Sequence, residues 1–523
     1  MSGGAIFRPD WPPEGISGAG IWPVLQPEGR FRGVRELSER QPSRERVVVI
    51  GGGLSGLTAA YRLNQRAKAA DRRVEVLVLE AKDRIGGAIW THRTGGFTLE
   101  KGPDSFITNK PWAADLCRDL GLSEELIGTD PAHRRSFVVR GGRLLPVPEG
   151  FVLMAPNRIL PMLTSPILSI RGKLRLLMDL ILPRKGDDSD ESLSSFVKRR
   201  LGREALDRLV QPLVGGIYTA DPNELSVKAT LPQFLTMEQK HGSLIRGAFH
   251  QARQTRWIEK NASGARYGMF MTLANGMDTL PNALASALPA GSVRMNTSVR
   301  RVSRNEPDSP WLVELLDGPP IEADVVVLTT EAHASARLLD NVDPDLALQL
   351  RAIPYASSVI VNIAFPRDQV AHPLDGFGAV IPAIEQRAIL AVSFLSVKFP
   401  TRAPAGTVLM RVFLGGATQP EFCERDDEAI KTIVRSELYD LLGARGEPLL
   451  VDIARHLRAM PQYTLGHLER VEAIRHRASA LDRLILGGNA FDGVGIPDAV
   501  HAAEIAAEAA FASLVGPAKT AAA

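Results

Sequence analysis

A hydrophobic strand that runs directly into closely spaced glycines is the feature that most constrains this chain. Residues 47–50 are all apolar and β-branched, which is typical of a buried parallel strand. Gly51, Gly53 and Gly56 follow, and the apolar spacing of residues 57–63 predicts a helix directly after them. In a dinucleotide fold the first glycine permits the turn, the second admits a pyrophosphate and the third lets the helix pack on the strand. The pattern therefore predicts a nucleotide-binding strand, turn and helix.

A second strand supports this interpretation because it ends in an acidic residue. Residues 74–79 predict a strand that ends at Glu80, whose carboxylate can accept hydrogen bonds from both hydroxyls of a ribose. This favours NAD or FAD over a cofactor with a 2′-phosphate. The interval from Gly51 is longer than the usual ~20 residues, and we expect the polar run 68–73 to form a loop that absorbs the excess. Arg84, Gly86 and Gly87 follow closely, and we expect this turn to bring a guanidinium and open backbone to a phosphate.

Length and composition indicate a globular protein with more than one folding unit. The chain has 523 residues, of which 45% are hydrophobic and 23% charged. The net charge of +3 is too small to indicate a nucleic-acid partner. Only two cysteines occur, Cys117 and Cys423, which excludes a disulfide framework and indicates a reducing compartment. Their spacing is not that of a metal site. The sequence has no apolar run of about eighteen residues, so we expect no spanning helix.

The N-terminal region differs from the rest in composition. Residues 1–43 are rich in Gly, Pro, Arg and Glu and show no hydrophobic periodicity. We expect a poorly ordered arm that could dock on the folded body through Trp11 and Trp22. The arm lacks the apolar segment of a secretory signal.

Residues 148–213 are predicted to be mainly helical, and one apolar stripe in them admits two interpretations. The stripe consists of Leu174, Leu177, Met178 and Ile181. It can face the core of a helical subdomain, which is the usual role of such a stripe and the interpretation we favour. Alternatively it can lie in a membrane interface, with the cations of residues 171–175 directed toward lipid headgroups.

The second half of the chain predicts a mixed layer followed by a return to the parallel sheet. Short strands at 293–295, 299–302 and 311–315 are expected to be antiparallel, and residues 323–330 predict another buried strand. Strands at 359–365, 389–395 and 408–414 with a helix at 428–441 are typical of an α+β substrate layer.

A second glycine turn lies near the end of the sequence. Residues 484–490 predict a strand that ends in glycines, and a helix is expected to begin near Pro497. The amides of Val494 to Ile496 would then lie at the positive end of that helix, where a flavin can place its electron-rich pyrimidine edge. Because one extended cofactor could touch both glycine turns, the pair favours FAD over NAD. The alternative is a C-terminal helix that only completes the fold.

The span from about Arg46 to Leu514 resembles the oxygen-dependent porphyrinogen oxidases of haem synthesis, in their bacterial soluble form. The first and last matching segments are shared with amine oxidases and carotene desaturases. The Gly-Pro-Asp-Ser-Phe, Gly-Gly-Ile-Tyr and Met-Pro-Gln-Tyr segments are more specific. The matching segments are residues 49–53, 80–81, 84–87, 102–106, 215–218, 238–241, 460–463 and 493–498.

The resemblance implies three regions. These are an FAD-binding doubly wound α/β domain of Rossmann type, an α+β mixed-sheet substrate domain and an inserted helical, membrane-facing domain. The FAD-binding domain would comprise residues 44–101, 263–334 and 481–516. The substrate domain would comprise residues 102–128, 226–262 and 335–480, and the helical domain residues 129–225.

The resemblance also implies the residues of the site. The implied FAD contacts are Gly51, Gly52, Gly53, Ser55, Gly56, Glu80, Ala81, Arg84, Gly86, Gly87, Gly102, Pro103, Asp104, Ser105, Val299, Gly488, Val494, Gly495 and Ile496. Lys110, Gly216 and Tyr218 are candidates for substrate binding. His241 is the candidate polar neighbour of the reacting centre, although a lone histidine is more often structural. Ala88 stands where many relatives have a basic residue, so one cation near the flavin or the phosphates is missing.

The implied activity is the six-electron oxidation of coproporphyrinogen III or protoporphyrinogen IX to the porphyrin. Hydride would pass from a methylene bridge to the flavin, and O₂ would reoxidise the flavin and yield H₂O₂, so no metal or catalytic triad is required. The implied partners are the porphyrinogen, O₂, a membrane surface and the next enzyme of the haem pathway, in the cytoplasm or at the inner face of the membrane. The alternatives are a flavin amine oxidase, a carotenoid-type desaturase and a non-catalytic binding protein on the same fold.

Overall fold

The computed structural model describes residues 45–133, 135–261, 270–306 and 309–515. The arm predicted for residues 1–43, with Trp11 and Trp22, lies outside the described residues. The strands are β1 (Glu45–Ile50), β2 (Val74–Leu79), β3 (Thr91–Thr94), β4 (Phe97–Glu100), β5 (Phe106–Ile107), β6 (Leu126–Gly128), β7 (Phe137–Arg140), β8 (Arg143–Pro146), β9 (Phe151–Val152), β10 (Ala155–Pro156), β11 (Phe270–Leu273), β12 (Val293–Arg294), β13 (Val299–Ser303), β14 (Trp311–Leu315), β15 (Ile321–Ala323), β16 (Val325–Leu328), β17 (Tyr355–Pro366), β18 (Gly378–Val380), β19 (Ala391–Phe394), β20 (Thr407–Gly415), β21 (Leu450–Pro461) and β22 (Leu484–Leu486).

The α-helices lie between groups of these strands, and α3–α10 follow one another without a strand between them. They are α1 (Leu54–Ala69), α2 (Trp112–Asp119), α3 (Ile159–Thr164), α4 (Ile170–Leu177), α5 (Leu193–Arg200), α6 (Arg203–Ala205), α7 (Gln211–Tyr218), α8 (Val227–Thr230), α9 (Pro232–His241), α10 (Leu244–Asn261), α11 (Thr279–Ala287), α12 (Ala332–Leu339), α13 (Pro344–Arg351), α14 (Leu395–Lys398), α15 (Asp427–Leu442), α16 (His467–Ser479) and α17 (Ile496–Val515).

A five-stranded parallel sheet carries both glycine turns. Its strand order is β12–β2–β1–β16–β22, and all neighbours run parallel. Residues 47–50 are buried, as expected for a strand covered on both faces. The order confirms the predicted doubly wound sheet. It also separates the first strand, β1, from the last, β22, by β16 alone.

The helices that follow these two glycine turns pack against each other on one face of the sheet. Leu57 of α1 and Val500 of α17 are both fully buried in a core that includes Val49 and Val327. Arg62 of α1 pairs with Glu504 of α17 at 2.7 Å at the edge of this contact. The beginning and the end of the described chain therefore form a single layer.

A seven-stranded mixed sheet forms the second layer. Its order is β21–β17–β20–β19–β18–β7–β8, with one parallel pair, β18 and β7, among antiparallel neighbours. Helix α15 covers one face with Ile430, Val434 and Leu438, and Asp426 begins it by accepting a hydrogen bond from the Ala429 amide at 2.8 Å. The predicted mixed α+β layer is confirmed.

Helices α3–α10 form a third layer around a buried ion pair. The side chains of Arg200 and Asp179 are fully buried and approach to 2.5 Å. Ser243 donates to the same carboxylate at 2.6 Å. A paired and hydrogen-bonded buried charge is costly to break, so this network fixes the arrangement of the helices. No helix within the described ranges is both long and apolar enough to cross a membrane.

The prediction that the apolar stripe of α4 faces a core is wrong. Leu174 of α4, and Met178 and Ile181 just after it, are exposed to 60%, 43% and 78%, while Leu177, the fourth member of the stripe, is half-buried. The face that packs inward instead carries Leu176 and Gly172, and a Cβ on Gly172 would lie 2.1 Å from the Glu204 carboxylate. The helix thus has apolar residues on two faces, and the tighter contact at Gly172 decides which one is buried.

Strand pairing differs from expectation at one place and crosses the implied domain ranges at two others. Strand β12 was expected to be antiparallel, but it pairs in parallel with β2. The hairpin β7–β8 lies inside the range assigned to the helical domain, yet it forms the edge of the seven-stranded sheet. Strands β5 and β6 both pair with β11, although they were assigned to different domains from it. Short edge strands join whichever layer offers a free partner, which local sequence does not encode.

Candidate functional site

The two glycine turns lie side by side at the carboxyl edge of the parallel sheet. Gly51 follows β1 with φ +112°, and Gly488 follows β22 with φ +104°. Both approach Thr329 at the end of β16: a Cβ on Gly51 would lie 2.9 Å from its Oγ1, and one on Gly488 3.5 Å from its carbonyl oxygen. Ligands bind at this edge in parallel α/β sheets.

Glu80 lies at the same edge, beside the first glycine turn. Its carboxylate is largely buried and accepts hydrogen bonds from the amides of Gly52 at 2.7 Å and Lys82 at 2.9 Å. Ala81 follows on the surface, and the Glu80 carbonyl accepts from the Thr297 amide at 2.8 Å, two residues before Val299. The sequence therefore placed Glu80 correctly beside the glycines, where its oxygens can also accept from ribose hydroxyls.

Each glycine turn leads into the first amides of a helix, α1 or α17. Gly53 caps α1 without a side-chain hydrogen bond, and the first amide bonded within the helix is that of Leu57. Within the described residues, no acceptor is paired with the amides of residues 54–56 or 494–496. Such amides, at the positive ends of α1 and α17, are suited to bind a phosphate and an electron-rich ring edge. The donors and acceptors at this edge thus fit FAD.

Backbone contacts between glycines connect the first turn to the turn at Arg84. The Gly86 amide donates to the Gly52 carbonyl at 2.8 Å, and a Cβ on Gly87 would lie 3.1 Å from the Cα of Gly53. The Arg84 guanidinium lies 4.6 Å from the Trp90 ring centroid and donates to the Gly87 carbonyl at 2.8 Å. Arg84 stabilises its own turn in this arrangement, and its contact with a phosphate stays a prediction.

The segment Gly102–Ser105 packs against the backbone that follows this turn, and its Asp104 belongs to a charged cluster. A Cβ on Gly102 would lie 1.8 Å from the Ala88 carbonyl oxygen, so this approach requires glycine. Asp104 pairs with Lys398 at 3.1 Å and with Arg411 at 3.1 Å. Burial opposes ionisation of Asp104, but the two cations outweigh it and hold the pKa of this carboxyl well below its usual range.

Lys398 and Arg411 were missed by the sequence analysis. Arg411 stands in the otherwise apolar strand β20, and its side chain is 2% exposed. An arginine inside a buried strand is rare and signals a specific partner. That signal was available, but the identity of the partner, 309 residues away at Gly102, was not.

The second glycine turn, which follows β22, is held in place by the Met-Pro-Gln-Tyr segment. The Tyr463 hydroxyl accepts from the Gly493 amide and donates to the Asn489 carbonyl, both at 2.7 Å. Its ring stacks on His467 with centroids 4.0 Å apart. Gln462 donates to the Tyr218 carbonyl at 3.1 Å, which brings the end of α7 to the same turn.

Two of the predicted substrate contacts lie beside this turn. Lys110 pairs with Asp498 of α17 at 2.6 Å. Burial, with a smaller contribution from Asp498, raises the pKa of Tyr218 to about 12. The Tyr218 hydroxyl donates to the Thr230 carbonyl at 3.1 Å. The pairing of Lys110 with Asp498, and the position of Tyr218 beside the second glycine turn, could not be predicted from sequence spacing.

The remaining candidates, His241 and Gly216, have contacts of a different kind. The His241 ring lies 4.9 Å from that of His250, between α9 and α10 of the helical layer. Gly216 is exposed on α7, and a Cβ there would meet Val380 at 3.8 Å. Their roles stay predictions.

A cavity of about 210 Å³ opens next to Gln462 and Tyr355. Asp221 and Glu224 line it together with the ends of β17 and β20. Because carboxylates repel carboxylates, this cavity is unsuited to a substrate that carries propionates.

Comparisons with known proteins agree with this geometry. The family described as flavin containing amine oxidoreductase matches residues 54–510. Coproporphyrinogen III oxidase of Bacillus subtilis (strain 168) is 34% identical over 87% of this chain and 96% of its own length. The enzyme of that name from Propionibacterium freudenreichii subsp. freudenreichii is 35% identical over 89% and 92%.

A solved structure is similar over the same span. It comes from Exiguobacterium sp. 255-15, is provisionally named a protoporphyrinogen oxidase, and superposes with a TM-score of 0.79 at 30% identity. The superposition covers 91% of this chain and all of the other. The chain therefore belongs to the flavin-containing amine oxidoreductases, and its cofactor is FAD.

Proposed function

We propose that this protein is an oxidase that aromatises a porphyrinogen with O₂ in haem biosynthesis, and that coproporphyrinogen III is its preferred substrate. Two relatives that match nearly the whole chain, at 34% and 35% identity, are named coproporphyrinogen III oxidase. The observation that carries the proposal is the convergence of both glycine turns and Glu80 at one sheet edge. This edge offers the amides and the carboxylate that an extended flavin dinucleotide needs.

Bound FAD would supply an acceptor for hydride from the methylene bridges of the macrocycle and would return the electrons to O₂. The chain itself binds and orients. We expect the amides of residues 54–56 to bind the pyrophosphate and Glu80 to bind the ribose. The amides of residues 494–496 would favour negative charge at the pyrimidine edge, because they lie at the positive end of α17.

The chemistry of Tyr218 and Lys110 limits their roles in this proposal. The Tyr218 pKa of about 12 keeps the phenol protonated at neutral pH, so it does not act as a base. Its hydroxyl donates to the Thr230 carbonyl at 3.1 Å, so a substrate acceptor would compete with this carbonyl. Lys110 is paired with Asp498 at 2.6 Å, so a substrate propionate would compete with this carboxylate.

Oxidation rates under air test the proposal. Purified holoprotein would be mixed with coproporphyrinogen III or protoporphyrinogen IX and porphyrin fluorescence followed, with an aliphatic amine as the control substrate. We expect porphyrin from both, about tenfold faster from coproporphyrinogen III, because protoporphyrinogen IX has vinyl groups in place of two propionates and would lose the polar contacts that these two carboxylates make. A faster rate with protoporphyrinogen IX would overturn the substrate preference. Flavin that is reduced only by the amine, or protein without flavin, would overturn the activity.

We further propose that the enzyme works in the cytoplasm and binds the inner face of the membrane peripherally. An apolar patch supports this, formed by the exposed residues Leu160, Leu163, Ile170, Leu174, Met178 and Ile181. Arg171 and Lys173 lie on α4, next to the patch residues Ile170 and Leu174, and have no ion pair among the described side chains. They can therefore face anionic headgroups. Arg175 instead donates to carbonyls of residues 198–200.

A further inference from the structure

Polar side chains form a row across three neighbouring strands of the seven-stranded sheet. Asp452 on β21 pairs in register with Asn362 on β17, and Asn362 pairs with Arg411 on β20. Residues directly opposite in an antiparallel pair project to the same face. Asn362 and Arg411 are 0% and 2% exposed, so this row is buried. We call these three residues the polar row.

Each member of the polar row binds the chain between Glu100 and Asp104. Asn362 donates to the Glu100 carbonyl at 3.2 Å, and Asp452 accepts from Lys101 at 2.8 Å. Arg411 donates to the Gly102 carbonyl and pairs with Asp104 at 3.1 Å. Because buried polar groups need partners, the row and this segment stabilise each other's positions.

Lys398 completes the arrangement from the end of α14. Its ammonium contacts Asp104 at 3.1 Å and donates to the Ser105 hydroxyl at 2.8 Å. The Ser105 hydroxyl donates in turn to Asp104 at 2.7 Å. The side chains of Lys398 and Asp104 are 11% and 13% exposed, so this pair is only weakly screened by water.

The opposite side of the same segment contacts the cofactor turns. The Lys101 amide donates to the Trp90 carbonyl at 2.8 Å, and the Gly102 Cα faces the Ala88 carbonyl so closely that a Cβ would lie 1.8 Å from it. Gly87 in turn contacts Gly53 at the start of α1. A series of backbone contacts therefore connects the polar row, through Gly102, Ala88 and Gly87, to the amides of the first glycine turn.

We propose that Arg411 and Lys398 are positioning residues for the flavin. By holding Asp104 and the Gly102 carbonyl, they fix the segment Gly102–Ser105 against the glycine turns and join the seven-stranded sheet to the cofactor site. The proposal rests on the proposed function, because contact between this segment and FAD belongs to it.

Conservative variants test the proposal. Arg411→Lys keeps a cation but loses the guanidinium that reaches Gly102 and Asp104 together, and Lys398→Met removes the second cation at similar length. We expect both variants to bind FAD about tenfold more weakly, the size expected for one lost hydrogen bond to a charged group. The measurements are the FAD dissociation constant of the apoprotein and the flavin absorption spectrum of the holoprotein, which we expect to shift.

Arg402→Lys is the matched control. Arg402 is fully buried, pairs with Glu100 at 3.3 Å and donates to the Leu273 carbonyl at 2.8 Å, but among the described side chains it forms no hydrogen bond or ion pair with Gly102–Ser105. We expect this variant to lower Tm while FAD affinity and the flavin spectrum stay unchanged.

If Arg411 positions the flavin through Asp104, Asp104→Asn should have a smaller effect on FAD affinity in the Arg411→Lys background than in the wild type.

The outcomes separate this proposal from the proposed function. Folded Arg411→Lys and Lys398→Met proteins with FAD affinity within about twofold of the wild type and an unchanged spectrum would overturn it. Failure of both to fold, with Arg402→Lys folded, would also overturn it, since the cluster would then serve stability alone. Wild-type protein without flavin or without porphyrinogen oxidation would instead overturn the proposed function.

Discussion

At the scale of single residues, Gly53 and Gly56 require glycine for different reasons. A Cβ on Gly56 would lie 1.9 Å from the Gly51 carbonyl oxygen, so the fold itself excludes a side chain there. Gly53 has an ordinary φ of −73°, and a Cβ there would meet nothing nearer than the Gly87 Cα at 3.7 Å. The protein alone therefore tolerates alanine at residue 53, and we propose that bound FAD is what requires glycine there.

Gly53→Ala is accordingly predicted to fold but to bind FAD poorly. We expect a free energy of unfolding of the apoprotein within ~0.5 kcal/mol of the wild type. FAD should bind at least about tenfold more weakly, because the added methyl group would occupy the space through which the pyrophosphate approaches the backbone. Gly186→Ala is the control, since a Cβ there would meet nothing within 4 Å. FAD titration of the two apoproteins distinguishes them, and equal affinities would contradict the assignment of this turn.

Residues of the first glycine turn could be predicted from the sequence because their spacing is local. Gly51, Gly53 and Glu80 belong to one strand–turn–helix unit and the strand after it. Arg411 and Lys398 could not be predicted, because their partner Asp104 is brought to them only by pairing of the seven-stranded sheet. The isolated polar residues in β17 and β20 were the one available signal.

At the scale of elements, the turn before α17 depends on one hydroxyl. Tyr463 joins the Asn489 carbonyl and the Gly493 amide, so it closes the loop that presents the amides of residues 494–496. Burial raises the pKa of Tyr463, and the hydroxyl therefore stays protonated and able to donate.

Tyr463→Phe is predicted to loosen this turn. The ring can still stack on His467, so we expect a loss of about 1 kcal/mol in the free energy of unfolding for the hydrogen bonds. FAD affinity should fall as well, because the amides are no longer held. Tyr355→Phe is the control: its hydroxyl accepts from the Ala332 amide at 2.8 Å, at the start of a different helix. We expect a loss of stability there that is no larger, because one hydrogen bond is lost instead of two, and no change in FAD affinity. An equal fall of FAD affinity in both variants would contradict the role of Tyr463.

Helix α4 illustrates where periodicity stops being informative. Its spacing predicted an amphipathic helix correctly, and the structure has a helix over Ile170–Leu177. The predicted orientation of the helix was wrong, because the buried face is the one that carries Leu176 and Gly172. Gly172 permits close approach to Glu204 on that face. Volume at a contact, rather than hydrophobicity, decided the orientation.

At the scale of the whole molecule, the apolar patch predicts binding to lipid vesicles. Leu174→Glu puts a carboxylate into the centre of the patch, and we expect about tenfold weaker co-sedimentation with anionic vesicles. Leu348→Glu is the matched control, because Leu348 on α13 is exposed to 61% against 60% for Leu174. Equal binding by both variants, or equal binding of the wild type to neutral vesicles, would contradict the membrane proposal.

The position of β16 between β1 and β22 has a consequence for biosynthesis. In a nascent chain β1 (Glu45–Ile50) and its glycines are made long before β16 (Val325–Leu328), and longer still before β22 (Leu484–Leu486). Long-range strand pairing of this kind is slow, and early segments wait for late ones. Complete binding of the flavin must then wait until β22 and the turn after it have been made, and a chain arrested before Leu484 would carry the first glycine turn without the second.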